Sequence, residues 1–157
     1  LADLDFLCEV YLLNFGKKLK GSPSINWNRL KEQGKVKLVE IKFKNDFPEI
    51  SSNAVIIDGM FGSGLTRPLN GFPAEIVQLI NNLKNTVVSI DIPSGLMGED
   101  NSGNNPENII QANYFFTDFT FTLSPEFKSL ETVVYGPVII TSPFLSFVFA
   151  LTRSSEP

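Results

Sequence analysis

Two aspartates, Asp58 and Asp91, each close a run of branched apolar residues and open a turn rich in glycine or proline. A carboxylate so placed transfers protons when desolvation or a second carboxylate raises its pKa toward neutrality. Asp58 leads into Gly59-Met60-Phe61-Gly62-Ser63-Gly64-Leu65-Thr66-Arg67-Pro68. Glycines there let a ligand approach the backbone, and Arg67 offers a cation to a phosphate. The Gly-Lys-Ser/Thr ending of a P-loop is absent. Asp91 leads into Ile92-Pro93-Ser94-Gly95, where the proline forces a sharp exit and Gly95 permits a positive φ. Asp91 and the Ser94 hydroxyl are then expected to face one pocket, with Asp58 as the neighbouring carboxylate. Oxygens from Asp58, Ser94 and loop carbonyls suit a hard cation and not a transition metal. On spacing alone, each aspartate could equally cap the element after it, and the Gly-x-Gly turn could be a plain strand-to-helix connection.

These groups need rigid elements behind them. Cys8 to Leu13, Val36 to Ile41, Ala54 to Asp58 and Thr86 to Asp91 read as strands. The spacing predicts a helix over about 23–33, stopped by Gly34, and another opened by Pro73 with Ile76, Val77, Ile80 and Leu83 as its core stripe. Near-continuous Val/Ile strands alternating with amphipathic helices indicate a parallel sheet covered on both faces. In such sheets ligands bind at the carboxyl ends of the strands, where both aspartates fall. Gly98 to Asn108 is polar and too poor in apolar residues to pack. Beyond it, eight of the fourteen phenylalanines lie between 115 and 149, and strands are expected near 118–123, 132–140 and 145–151. Thr132 to Thr152 is uncharged and long enough to span a bilayer, but its prolines and β-branched residues favour strands over a membrane segment.

Composition narrows the chemistry. The 157 residues amount to one domain's worth of chain and contain no histidine, which excludes histidine-dependent triads and the imidazole proton shuttle. A single cysteine, Cys8, excludes an internal disulfide and fits a reducing compartment, with the cytoplasm as the expected address. With no basic neighbour to ionise it, Cys8 is read as a strand residue, and Trp27 as packing. The net charge of −4 argues against nucleic-acid binding. The charge is uneven: residues 1–50 carry 9 basic and 7 acidic side chains, the remainder 4 and 10. Lys17, Lys18 and Lys20 read as a solvated loop face that could also steer an anionic ligand. Leu1 to Phe6 lacks the pattern of a signal peptide.

Three segments, Val10 to Gly16, Ile56 to Pro68 and Val87 to Gly95, resemble the YjeF N-terminal family of NAD(P)H-hydrate epimerases in residues, order and spacing. The likeness covers about residues 8–114, and the Asn101 to Pro106 loop also looks like a bacterial version. The resemblance implies a single Rossmann-like three-layer α/β/α domain with a mostly parallel sheet. It implies interconversion of the R and S epimers of hydrated NADH and NADPH (NADHX and NADPHX), a repair step for nicotinamide nucleotides. Asp91 would contact substrate and carry the proton, Gly62, Ser63, Gly64, Leu65, Thr66, Arg67 and Pro68 would hold the phosphate-bearing substrate, and Asp58 and Ser94 would match ligands of a potassium ion. Many bacterial relatives add a fused dehydratase domain. The family's first strand ends in an Asn-Asn-Gly-Gly-Asp loop with further substrate contacts and a potassium ligand, which this chain lacks. The amino-terminal third of the domain is therefore expected to be missing, leaving two unpaired strand edges and an open core. The tail after 114 matches poorly. The alternative from another class is a non-catalytic module that uses this apolar tail to form a homodimer or bind a partner.

Overall fold

The computed structural model describes residues 6–14, 16, 19–116 and 147–153. Its elements run β1 (Phe6–Leu13), α1 (Ser22–Gln33), β2 (Lys37–Ile41), β3 (Val55–Gly59), α2 (Gly71–Asn81), β4 (Thr86–Ile90), β5 (Tyr114–Phe116) and β6 (Phe147–Arg153), with short 3-10 turns at Lys44–Asp46 and Pro106–Asn108. The strands expected near 118–123 and 132–140, and Lys17 and Lys18, lie outside the described residues. The strand expected at 145–151 is found as β6.

Alternation along β1 builds the layers. Tyr11 and Leu13 face one side and join Ile76, Val77 and Ile80 of α2, together with Ile41, Ile56 and Met60, in the main core. Val10 and Leu12 face the other side, against Trp27 and Leu30 of α1. The two helices therefore cover opposite faces, because successive strand side chains point opposite ways. Burial of Ile76, Val77 and Ile80 is complete and contributes roughly 1.5–3 kcal/mol for each side chain. Helix α1 ends at Gly34, whose φ of 62° places it in the left-handed C-cap conformation. It starts one residue earlier than expected: Gly21 occupies the cap position and Ser22 is already helical.

The sheet order is β2-β1-β6-β3-β4-β5. β1 and β2 are parallel, as are β3, β4 and β5. β6 runs antiparallel to both of its neighbours, β1 and β3. Phe149 is in register with Val10 on one side and Ile57 on the other. β6 thus joins β1 to β3, and the two unpaired edges expected from a missing strand do not occur between them. The pair β1-β2 extends one way and β3-β4-β5 the other, so β6 occupies the point where strand order reverses.

Loop 98–108 also departs from expectation, because amide side chains hold it in place of apolar packing. Asn101 bonds both the N–H and the carbonyl of Met97, Asn104 donates to the Gly95 carbonyl, and Asn108 links the Leu69 carbonyl to the side chain of Gln78.

Candidate functional site

Strands β3 and β4 lie side by side, with Asp58 in register with Ser89, so their exits meet at one edge of the sheet. The Asp58 side chain is turned inward and is 1% exposed. Its Oδ1 accepts from Met60 N–H at 3.2 Å and from Ser94 Oγ at 2.6 Å. Its Oδ2 accepts from Ser94 N–H at 2.9 Å and from Ser89 Oγ at 2.8 Å. Burial pushes the Asp58 carboxyl above the ordinary carboxylate range, while the hydrogen bonds from Ser94, Ser89 and Met60 oppose that rise.

Asp91 is built differently. It is the only non-glycine residue with a positive φ, 71°, among the described residues. Aspartate tolerates this region better than most residues, but holding it there stores strain of about 1–3 kcal/mol, which tends to accumulate at functional sites. The next turn explains how the chain is held: Leu96 N–H donates to the Pro93 carbonyl at 3.0 Å, and Gly95 sits at φ 97° in the position a type II turn reserves for glycine. The consequence is that the Asp91 carboxylate crosses to the glycine loop, where Oδ2 accepts from Ser63 N–H at 2.7 Å. A Cβ at Gly62 would lie 2.6 Å from that same oxygen, so this approach requires glycine.

Asp91 and Ser94 therefore do not face one pocket. Ser94 is fully buried beneath the loop, where its hydroxyl receives Phe61 N–H at 2.9 Å and lies 3.1 Å from the Phe61 carbonyl. Asp58 and Asp91 share no hydrogen-bond donor. The two carboxylates occupy separate hydrogen-bond sets, joined only through the backbone from Phe61 to Ser63. Within the glycine loop, Leu65 packs against the core and its N–H closes a turn onto the Gly62 carbonyl at 3.2 Å. Gly64, Thr66, Arg67 and Pro68 are exposed along the rim. The polar loop borders this rim, since a Cβ at Gly98 would lie 3.2 Å from the Ser63 carbonyl.

Sequence reading missed Ser89 and the two backbone N–H groups of Phe61 and Ser63. Ser89 carries a visible signal, being the one polar residue inside the apolar run Val87 to Ile90. The backbone donors leave none. A cavity of about 220 Å³ lined by Ile80, Leu83, Lys84, Asn85, Gln111 and Asn113 lies at the other end of β4, away from both aspartates.

Asp58 Oδ1, Ser94 Oγ and the Phe61 carbonyl form an all-oxygen group of the kind hard cations prefer. Asp58 is the sole carboxylate in it, and no set of three or more His, Cys, Asp or Glu side chains that could hold a metal occurs among the described residues. One buried carboxylate among neutral oxygens carries a single negative charge, which balances a monovalent ion better than a divalent one. Cys8 is half-buried in β1, and burial pushes its thiol pKa up, which suits a strand residue and not a nucleophile.

Residues 1–123 match the family described as YjeF-related protein N-terminus. Among curated proteins, the chain is 37% identical over 93 residues to the bifunctional NAD(P)H-hydrate repair enzyme Nnr of Thermofilum pendens, covering 58% of this chain and 18% of that one. It is 36% identical over 106 residues to the enzyme of the same name from Dictyoglomus turgidum, covering 67% and 19%. To the NAD(P)H-hydrate epimerase of Oenococcus oeni it is 32% identical over 88 residues, covering 56% and 39%. The chain thus spans well under half the length of these relatives. No solved structure matches. With its match running through both aspartate turns and the glycine loop between them, the chain belongs to the YjeF-related protein N-terminus family.

Proposed function

We propose that this chain carries the epimerase function of NAD(P)H-hydrate repair, interconverting the R and S forms of NADHX and NADPHX. The observation that carries the reading is Asp91: a strained carboxylate at the carboxyl end of a parallel strand, held 2.7 Å from the Ser63 backbone N–H of the glycine loop. Inverting a hydroxyl-bearing carbon beside a ring nitrogen proceeds by breaking the carbon–nitrogen bond: the hydroxyl gives up its proton and becomes a carbonyl, the nitrogen takes up a proton, and attack of that nitrogen on the other face of the carbonyl reforms the bond as the proton returns to oxygen. Asp91 is the proton carrier, and the Ser63 N–H bond fixes which carboxylate oxygen faces away from the loop. The rim from Gly62 through Ser63, Gly64, Leu65, Thr66 and Arg67 to Pro68 receives the substrate, with Arg67 as its phosphate-pairing cation.

Asp58, Ser94 and the Phe61 carbonyl are the residues that would hold potassium. The ion would supply a positive charge beneath the glycine loop, and its hydration shell would be replaced by these oxygens. A reducing compartment such as the cytoplasm suits the single half-buried thiol, and a dehydratase domain, as in the family's fused members, would consume one epimer.

The test starts from a single purified epimer of NADHX, followed by chromatography in potassium and in sodium chloride, for the wild type and Asp91→Asn. Asparagine keeps the side-chain shape and tolerates the positive φ, so a loss of about 10²–10⁴-fold in rate is expected without loss of fold. A wild-type rate equal to the spontaneous one rejects catalysis by this chain. Equal rates for the two proteins reject Asp91 as the proton carrier, and equal rates in the two salts reject potassium.

A further inference from the structure

Ser89 lies on neither aspartate turn, yet the hydrogen bonds lead from it to Asp91. Its Oγ, fully buried, donates to Asp58 Oδ2 at 2.8 Å. Asp58 fixes Ser94 through both the N–H and the hydroxyl of that residue. Ser94 Oγ receives Phe61 N–H at 2.9 Å, and two residues later Ser63 N–H reaches Asp91 Oδ2 at 2.7 Å. The links from Ser89 to Phe61 are short bonds between buried or half-buried groups, where hydrogen bonds are strong and their donors are costly to leave unpaired, and the last link, Ser63 N–H to Asp91, lies at the exposed rim.

Direction matters in this chain. The Ser94 hydroxyl has one proton and two oxygen neighbours, Asp58 Oδ1 at 2.6 Å and the Phe61 carbonyl at 3.1 Å. When that proton is given to Asp58, a lone pair of Ser94 Oγ remains for Phe61 N–H, and the glycine loop is held down at its first residue. Ser89 supplies the opposite oxygen of the carboxylate, so it fixes the plane in which Oδ1 is presented to Ser94. Without Ser89 the Oδ2 oxygen keeps Ser94 N–H as its one donor, so the plane of the carboxylate is less firmly held and the geometry at Oδ1 relaxes.

We propose that Ser89 is a positioning residue, which sets the Asp91 carboxylate against the glycine loop by orienting Asp58 and, through it, Ser94 and Phe61. The kinetic consequence rests on the epimerase reading; the structural consequence does not.

Two measurements on the full chain separate them. In Ser89→Ala, amide hydrogen exchange at Phe61 and Ser63 is expected to accelerate on the order of tenfold, while Ile56 and Val88 in the flanking strands keep their wild-type protection. Epimerisation by the same variant should show kcat reduced on the order of tenfold with KM within about twofold, because a misplaced carboxylate affects the reacting geometry more than binding. Ser89→Cys, of similar size and with a weaker donor, should fall between serine and alanine in both. Wild-type protection at Phe61 and Ser63 in Ser89→Ala overturns the proposal, as does acceleration shared equally by Ile56 and Val88, which would mark a general loss of stability. If the wild type does not epimerise NADHX, the proposed function fails and the exchange result alone decides the role of Ser89.

Discussion

Replacing Gly62 by alanine separates the fit of the site from the stability of the fold. The glycine is not in the left-handed region, so alanine meets no backbone penalty of its own. What it meets is Asp91: the new Cβ lies 2.6 Å from Oδ2, against 3.4 Å or more for ordinary contact. Relief needs a displacement of about 0.8 Å, and a misplacement of about 1 Å in a reacting group costs on the order of 10²-fold in rate. The Asp91 side chain is short and rooted in a constrained turn, so it yields by giving up the Ser63 N–H bond. The expected kcat for epimerisation is therefore roughly 30- to 100-fold below wild type. Stability should hardly change: the lost bond costs about 0.5–1.5 kcal/mol, offset by about 0.4–1 kcal/mol from the stiffer unfolded chain. The assay pairs an epimerisation time course with a thermal melt. A wild-type rate would refute the claim that Asp91 must sit where it does. A fall in Tm of more than about 10 °C would show that the glycine serves folding and not the site.

Gly95→Ala should have the reverse profile, because its Cβ would sit 2.1 Å from the backbone carbonyl of Asn108 at a φ of +97°. A loss of at least about 2 kcal/mol is expected in a urea or thermal melt, and a loss below about 0.5 kcal/mol would argue against this turn geometry. In the middle of β1, Glu9 accepts from the Tyr11 hydroxyl and from Lys37 Nζ at 2.9 Å, and these two bonds lower its pKa. A lowered carboxylate pKa stabilises the fold above the ordinary glutamate value of about 4.3, and this contribution disappears as pH falls through the folded-state value. Glu9→Gln should thus be less stable than wild type at pH 7, by under about 1 kcal/mol given the exposed ion pair, and the two should converge as pH falls below the folded-state value of Glu9; a difference that persists once Glu9 is protonated would contradict this assignment.

How much of this could be read from the residues varies from place to place. The strands leading to Asp58 and Asp91, the helix stopped at Gly34 and the Ile76, Val77 and Ile80 stripe of α2 were legible because periodicity and cap residues are local signals; Leu83, expected in the same stripe, follows the end of α2 at Asn81. The positive φ at Gly95 was legible for the same reason. The positive φ at Asp91 was not, since aspartate adopts it only when distant groups, here Ser63 N–H, reward it. The division of the two carboxylates, one buried under four donors and one turned to the loop, depends on which face each strand end presents. Period-two alternation sets that face only once the register Asp58 to Ser89 is known. Loop 98–108 was legible as polar but not as ordered, because asparagine signals solvation and backbone bonding alike.

The antiparallel strand in the middle of the sheet has a kinetic meaning. Among the described residues β1-β2 and β3-β4-β5 share no direct ladder, and the ladder hydrogen bonds joining the two halves pass through β6, which follows them all in sequence. Each half can form its own parallel pairs early, but the sheet closes only when a distant segment threads between two edges in an orientation opposite to both. Such closure has a high contact order and a large loop entropy, so the slow step of folding should be the docking of β6. During that interval the facing edges of β1 and β3 are open to strands from other molecules, and aggregation during refolding should rise steeply with protein concentration.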